Sequence, residues 1–350
     1  MEKGFFKIER KSIKLFDEEL LDIYPLLAKE NTYVAITKNK KIIELDTMQE
    51  SCNDLFALES EEIEINFDEA ISILASSDSN IIAVFNTYGR FGLVIDLSVK
   101  QIVMQFSRDD YHFNQTIFPV SFYTRNNQIL LIHGTKWNRV DISNPFTGEV
   151  LTSREDPEFR MINNKPECDD HYLDYFHGQL LVSPNNEWVV SNGWEWHPYG
   201  SVTVWNMNQW IANNCWESED GDSKKELWRY KEEWNDPICW LSNTTVGILG
   251  KNDSNFCDDE INMPTGNLFR VYDVCNGVLL NEFEITYGQL IFDTFLYCSS
   301  KDTGLRVYNI SKGEVLFEDH AIYPQAYHST SKEFLEVNTN QLSIVKLIEN

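Results

Sequence analysis

A four-part pattern recurs along this chain, and it limits the available folds more than any single residue does. Each copy holds an apolar run, a polar turn and a second apolar run. A loop follows, then an alternating run that ends on an apolar residue and Asp or Asn, then a final run beyond another turn. The clearest copy is Ala70–Leu74, the turn Ser77–Asn80, Ile81–Phe85, the loop Asn86–Arg90, Gly92–Asp96 and Gln101–Phe106. Short runs of this kind with period-two alternation read as strands.

The plan returns in Val120–Tyr123 with Ile129–Ile132, Arg139–Asp141 and Glu149–Thr152, and in Leu180–Val190 with Ser201–Asn206. It returns again in Ile238–Leu241 with Val246–Leu249 and Arg270–Asp273, and in Leu290–Phe292 with Phe295–Cys298 and Arg306–Asn309. A weaker copy uses Tyr33–Thr37, Lys41–Asp46 and Glu62–Phe67. The C-terminal part offers Ala326–Thr330, Phe334–Val337 and Leu342–Leu347 with no fourth strand after them, while the N-terminal part offers an orphan, Phe5–Ile8. Open sheet edges invite aggregation, so the orphan is expected to complete the last copy.

That arithmetic predicts an all-β chain, a seven-bladed β-propeller closed by the N-terminal strand pairing into the C-terminal blade. The expected blades span roughly 30–67, 70–107, 119–154, 178–231, 237–285, 289–318 and 322–348, with the N-terminal strand at 4–15, all in one domain of 350 residues. Stacking blades radially buries apolar faces that no single four-stranded sheet could cover, at about 25 cal/mol per Å2. Helix is expected only over Glu18–Lys29, cut by Pro25, and over Asn208–Cys215.

The Asp/Asn column, Asp46, Asp96, Asp141, Asn206, Asp273 and Asn309, is read as turn chemistry rather than as catalytic carboxylates. These side chains accept from the backbone just after them and start tight turns. A Gly a few residues on supplies positive φ at little steric cost.

Ser183-Pro184-Asn185-Asn186-Glu187-Trp188-Val189-Val190-Ser191, followed by Ser201-Val202-Thr203-Val204-Trp205-Asn206, resembles a WD40-type repeat. Arg270-Val271-Tyr272-Asp273 and Arg306-Val307-Tyr308-Asn309 look like degenerate versions of its terminal Trp-Asp step. The resemblance is to WD40-like or related quinoprotein- or YVTN-type propellers, without the Gly-His dipeptide of the former. It implies a protein-binding scaffold more often than an enzyme. It also implies that loops between second and third strands, and those joining blades, emerge together on one face, here called the top.

Three long insertions belong to that face, Glu155–Gly178, Gly193–Gly200 and Lys251–Asn267, while Trp216–Lys225 is expected on the opposite one. The first two are dense in His, acidic and aromatic residues. The cluster has three readings. In the first, the aromatics pack the loops and the histidines are hydrogen-bonded to neighbours. In the second it is a partner-binding surface with Trp137, Tyr175, Trp194, Trp196, Tyr199 and Trp234 as anchors and Asp169, Asp170 and Glu195 as a charged rim. In the third, His171, His177 and His197 with Asp174 or Glu195 hold a metal, although the spacing matches no zinc signature. The acidic runs Glu217–Asp222 and Asn252–Glu260 are read as solvated loops, since neither has the pattern of a calcium loop.

Composition narrows the partners. Lys+Arg total 29 against 55 Asp+Glu, so the net charge is −26. Such a surface repels phosphate backbones and anionic lipid, which argues against nucleic acid or a membrane surface. No apolar run reaches membrane-spanning length, and Met1–Arg10 lacks the apolar centre of a signal peptide. The seven cysteines stand singly without a CxxC pair, so a cytoplasmic, disulfide-free chain is expected. No nucleophile elbow, phosphate-binding Gly loop or dinucleotide fingerprint occurs. The expected function is a non-catalytic, monomeric scaffold binding a protein partner, suited to a basic one, on its top face without a cofactor. The alternative is a metal-dependent hydrolase or small-ligand binder using the central top-face cavity.

Overall fold

The computed structural model describes residues 5–14, 18–58, 63–157, 159–162, 165–168, 170–196, 199–231, 233–251, 266–338 and 341–350. Seven antiparallel sheets stand in a ring, a seven-bladed β-propeller. Blade 1 is Leu20–Pro25, Thr32–Thr37, Lys41–Asp46 and Ser51–Ala57, and blade 2 is Ile71–Ala75, Ile81–Asn86, Phe91–Asp96 and Gln101–Ser107. Blade 3 has three strands, Val120–Arg125, Gln128–Lys136 and Arg139–Ser143. Blade 4 is Phe176–Val182, Trp188–Glu195, Tyr199–Asn206 and Lys225–Lys231; blade 5 is Ile238–Trp240, Thr245–Lys251, Asn267–Asp273 and Val278–Ile285. Blade 6 is Gln289–Phe292, Leu296–Ser300, Gly304–Asn309 and Glu314–Asp319. In blade 7, Ala326–His328, Glu333–Asn338 and Gln341–Glu349 are joined by the N-terminal strand Phe6–Ile13, paired in register from Phe6 opposite Glu349 to Ile13 opposite Leu342.

The core is divided among the gaps between blades, one apolar cluster for each neighbouring pair. Ile36 and Ile42 of blade 1 meet Ile73 and Ile82 of blade 2, for example, and Leu249 and Phe269 of blade 5 meet Leu296 and Cys298 of blade 6. The cluster that closes the circle joins Ile13, Leu335 and Leu342 of blade 7 to Tyr33, Ala35 and Leu45 of blade 1. The central strands of each blade are buried on both sides, which is why they read as nearly continuous Val/Ile/Leu runs. Among the described residues no helix is long and apolar enough to cross a membrane.

The turn column behaves as its chemistry requires. Asp46 Oδ1 accepts Met48 N at 2.9 Å and Gln49 N at 2.8 Å, and Asp96, Asn206, Asp273 and Asn309 make the equivalent bond. In blade 3 that place belongs to Asn144, whose Oδ1 accepts Phe146 N at 2.9 Å, and not to Asp141. Four residues beyond Asn144, Asp273 and Asn309 stand Gly148, Gly277 and Gly313, with φ of 72°, 68° and 68°. Glu50 and Lys100 take the same left-handed conformation in blades 1 and 2.

Four strand or helix expectations are corrected. Leu20–Pro25 is the inner strand of blade 1, not helix, so this blade begins before residue 30. Its register opposite Thr37 to Tyr33 places Pro25 at the strand's end, where the missing N–H costs nothing. The outer strand is Ser51–Ala57 rather than Glu62–Phe67. Glu149–Thr152 forms no strand and keeps only the single bridge of Val150 to Ser143. The predicted second helix is split into α1 (Met207–Ala212), capped by Asn206 Oδ1, and α2 (Glu217–Asp220). Of these two short helices, α2 packs against the third strand of blade 3, Arg139–Ser143. Met207 and Trp210 enter the cluster between blades 3 and 4.

There Asp141 has a different task. It is 2% exposed and accepts from Thr135 Oγ1 at 2.6 Å, Arg139 Nε at 2.8 Å, Thr152 Oγ1 at 3.0 Å and Arg154 Nη1 at 2.7 Å. The same Arg154 guanidinium pairs with Glu219 of α2. Two buried carboxylates thus share one buried cation, tying the truncated blade to its neighbour's insertion.

Candidate partner-binding face

The top ends of blades 3 and 4 carry a continuous set of aromatic rings. Trp137 sits in the turn between the second and third strands of blade 3. Its ring centroid lies 4.6 Å from that of Phe176, which in turn lies 4.5 Å from Trp194. Trp194 continues to Trp196 at 4.8 Å and to Trp234 at 5.7 Å. Tyr111 packs 5.4 Å from Trp137, and His112 packs 5.1 Å from Trp196. Tyr172 lies 6.4 Å from Trp137. Phe176 and Trp194 are buried and form the floor. Trp137, Tyr172, Trp196 and Trp234 are half-buried, while Tyr111 (46% exposed) and His112 stand outermost.

Polar ties hold the ridge in place. Arg108 is buried and donates to Gly89 O at 2.9 Å, to Thr116 O at 3.0 Å and to Phe113 O, gripping the segment that carries Tyr111 and His112. Burial pushes its guanidinium down to about 9. Burial also raises the neighbouring Asp109 carboxyl, against the pull of backbone N–H groups of Trp137 and Tyr111. One carboxylate therefore links the two loops that bear the outer rings. On the far side, Trp234 Nε1 donates to Gln115 O at 2.6 Å, joining the segment after blade 4 to the segment after blade 2.

The expected site residues separate into three groups. Trp137, Trp194, Trp196 and Trp234 are brought together in the ridge. Tyr175 is 1% exposed and its hydroxyl donates to Ser201 O at 2.9 Å, so it is an internal tie of blade 4 and not a surface anchor. Trp194 likewise offers a partner no open face. Tyr199 lies under the Arg229 guanidinium at 4.9 Å, and Arg229 pairs with Glu195 at 2.5 Å. Burial raises the Glu195 carboxyl while Arg229 opposes the rise. Asp170 is exposed at the rim. Asp174 and Glu195 line a cavity of about 450 Å3 with Glu226 and Lys224, whose ammonium burial pushes down to about 8. Asp169 and His197 lie outside the described residues.

The two described histidines of the metal reading have different surroundings. His177 is buried inside blade 4, with Nδ1 3.1 Å from Ser191 Oγ, and burial holds its imidazole well below the usual range. His171 stacks on Trp216 with ring centroids 4.5 Å apart, and its Nδ1 lies 2.8 Å from Asp220 Oδ1. Among the described residues no group of three or more His, Cys, Asp or Glu side chains is placed to hold a metal ion. A larger cavity, about 680 Å3, lies beside the inner strand of blade 1 and is lined by Arg10, Asp22, Lys301 and Glu336. Neither His171 nor His177 reaches it.

The His171–Asp220 contact brings the first top-face insertion against the Trp216–Lys225 insertion, so the two meet at the rim and not on opposite faces. Nor is Glu217–Asp222 a solvated acidic loop. Glu217 is buried and accepts from Ser223 N at 2.7 Å and Asn214 Nδ2 at 3.1 Å. Asn252–Glu260 lies outside the described residues. Tyr111 and His112 escaped sequence reasoning because they fall in a short segment between blades, without an insertion to draw notice. The run Arg108-Asp109-Asp110-Tyr111-His112 has the same mixture of acid and aromatic groups as the longer loops.

No protein-family model matches the chain, and no curated protein matches it.

Proposed function

We propose that this propeller is a non-catalytic protein-interaction scaffold of WD40-like type, working as a monomer in the cytoplasm and taking a basic partner on its top face. The observation that carries this reading is the aromatic ridge from Tyr111 to Trp234, fixed by Arg108, Asp109 and the Trp234–Gln115 bond. Half-buried aromatic rings on a rigid base are what interface anchors require, because little side-chain entropy remains to be lost on binding. Propellers commonly serve as such scaffolds, though fold alone does not decide function. The choice of a basic partner follows from charge. The chain carries −26, and Asp110 beside the ridge is 79% exposed, with Arg90 4.0 Å away as its ionic neighbour among the described residues. Cationic side chains can also sit over the faces of Tyr111, Trp137 and Trp196.

The test is affinity capture with wild-type protein and a Tyr111→Ala/Trp196→Ala variant, followed by titration of any captured protein. The expected result is a partner whose affinity falls at least about 30-fold with the variant, a hot-spot loss of about 2 kcal/mol. Its association should slow as salt rises. Equal binding to both proteins would remove the ridge as the interface.

A further inference from the structure

The outer strands of blades 1, 2, 4, 5 and 6 share a β-bulge. Each inserts one extra residue, Leu55, Val103, Leu227, Leu280 or Leu316, between two positions paired to the blade's third strand. A bulge bends the strand and re-aims the side chain it carries. Leu55, Val103, Leu227 and Leu316 pack into the apolar clusters between blades. Leu280 does not, and is 57% exposed. In those other four blades the next residue is Phe56, Met104, Trp228 or Phe317, and it joins the same cluster. In blade 5 it is Asn281, whose Nδ2 donates to Ile310 O beside blade 6 at 2.8 Å.

Val278 and Leu279 are also exposed, so three large apolar residues in a row face water at the edge of a sheet. The strand Val278–Ile285 pairs with Asn267–Asp273 on one side and ends its sheet on the other. An edge of this kind is a template for another strand and is usually guarded by charge, Lys above all. The outer strands Phe6–Ile13 and Lys225–Lys231 carry Lys and Arg, whereas Val278–Ile285 carries neither. Its charges are Glu282 and Glu284, which follow Leu280 at alternate positions and are exposed with it. Period-two spacing puts these three side chains on one face. The buried Arg270 approaches Glu282 at 3.6 Å from within the blade. The outer strand of blade 6, Glu314–Asp319, adds Glu314, Glu318 and Asp319 and no basic residue.

A second copy of this chain is a poor occupant of the edge. Each copy brings a charge of −26 and the same two carboxylates to the joint, and like charges across paired strands are destabilising. We propose that Val278–Ile285 docks an extended basic segment of a partner protein by strand addition. Running antiparallel, that segment sets Lys or Arg opposite Glu284 and Glu282 and a large apolar side chain over Leu280. Main-chain hydrogen bonds give such an addition its affinity, and alternate side chains give it specificity. The carboxylates that keep two copies apart are the groups a basic strand pairs with. The site stands on the side of blade 5 and does not rest on the aromatic ridge.

The probe is a fluorescent peptide, Lys-Thr-Arg-Thr-Leu-Thr-Val, titrated with the full chain and read by anisotropy. Wild-type protein is expected to bind it saturably. Leu280→Lys should weaken binding at least about 10-fold, and Glu284→Lys at least about 5-fold. Both positions are exposed, so the substitutions leave folding intact. A peptide with Glu in place of its Lys should prefer Glu284→Lys over wild type at least about 5-fold, a reversal that general attraction to an acidic protein does not produce. The Tyr111→Ala/Trp196→Ala variant should bind the first peptide as wild type does, which separates this edge from the ridge. No saturable binding, or equal binding by wild type, Leu280→Lys and Glu284→Lys, would overturn the proposal. So would a wild-type dimer in sedimentation that Leu280→Lys dissociates, since the edge would then belong to a second copy.

Discussion

Removal of residues 1–14 is expected to abolish cooperative folding rather than to lower stability by a small step. The strand Phe6–Ile13 supplies the whole outer edge of blade 7 through eight paired positions. Phe6 belongs to the apolar cluster between blades 6 and 7, and Ile13 to the cluster between blades 7 and 1. Losing two large buried side chains costs about 2–5 kcal/mol each. The exposed edge of Gln341–Glu349 then offers a nine-residue template for aggregation. Together these losses rival the 5–15 kcal/mol that a folded protein typically has in hand. The truncated chain should show no sharp thermal transition and should elute as aggregate. A peptide covering residues 5–14, added in excess, should restore a soluble species. A truncated protein melting sharply within a few degrees of wild type would show that the strand is dispensable.

Arg154→Ala is expected to destabilise the fold by about 3–5 kcal/mol, the range for breaking a buried ion pair from one side. Arg154, Asp141 and Glu219 have side chains 1%, 3% and 4% exposed. Asp141 keeps Arg139 after the change, whereas Glu219 keeps, among the described residues, the Ser218 hydroxyl at 2.9 Å as its remaining side-chain donor. Urea unfolding should show the loss, and Glu219→Ala added to Arg154→Ala should recover part of it. The pH dependence has a definite sign. Burial raises the Glu219 carboxyl above its ordinary value, with Arg154 opposing. A raised carboxyl contributes stability below its unfolded value and loses it as pH climbs through the folded one. Without Arg154 the rise is larger, so the variant's deficit should be greatest near pH 7 and shrink toward pH 5. A deficit under about 1 kcal/mol at both pH values would mean that solvent reaches this network.

Blade 2 was legible almost strand for strand. Ile81–Asn86 and Phe91–Asp96 are buried in nearly unbroken apolar runs, and the Asx turn at Asp96 is local chemistry. Closure of the ring was legible as well, since three strands at one end and one at the other leave a single way to complete seven blades. Failures arose where tertiary context decides. Leu20-Leu21-Asp22-Ile23-Tyr24-Pro25 has helical spacing. As the inner strand of blade 1, however, it is held by Asp22, which accepts Ile73 N of blade 2 at 2.8 Å, and no local pattern reveals that partner. Arg139-Val140-Asp141 imitates the terminal step of the other repeats three residues early. Only the hydrogen bonds of Asn144 and the buried pair with Arg154 separate the two aspartate roles. At the candidate face the aromatic residues could be read, but their depth could not. Trp194 and Trp196 differ by two positions, and Gly193 lets the strand pass close over Phe176 and Tyr175, so the first is buried as floor while the second remains half-exposed. Tyr175 looked like an anchor because its use as an internal donor depends on two carbonyl oxygens from other strands.

The closed circle can be tested by a covalent link at one register position. Ser12 and Ser343 are direct partners across the joint, with hydroxyl oxygens 3.2 Å apart. Opposed residues in an antiparallel pair fall within the Cα range of a disulfide. The protein carrying Ser12→Cys and Ser343→Cys should oxidise to a single bond between those two sites, identified by mass spectrometry of the linking peptide. Its stability should rise by up to about 5 kcal/mol on the chain-entropy account of so long a loop. If both introduced thiols instead remain freely reactive in the folded protein, the ends of the chain do not share a blade.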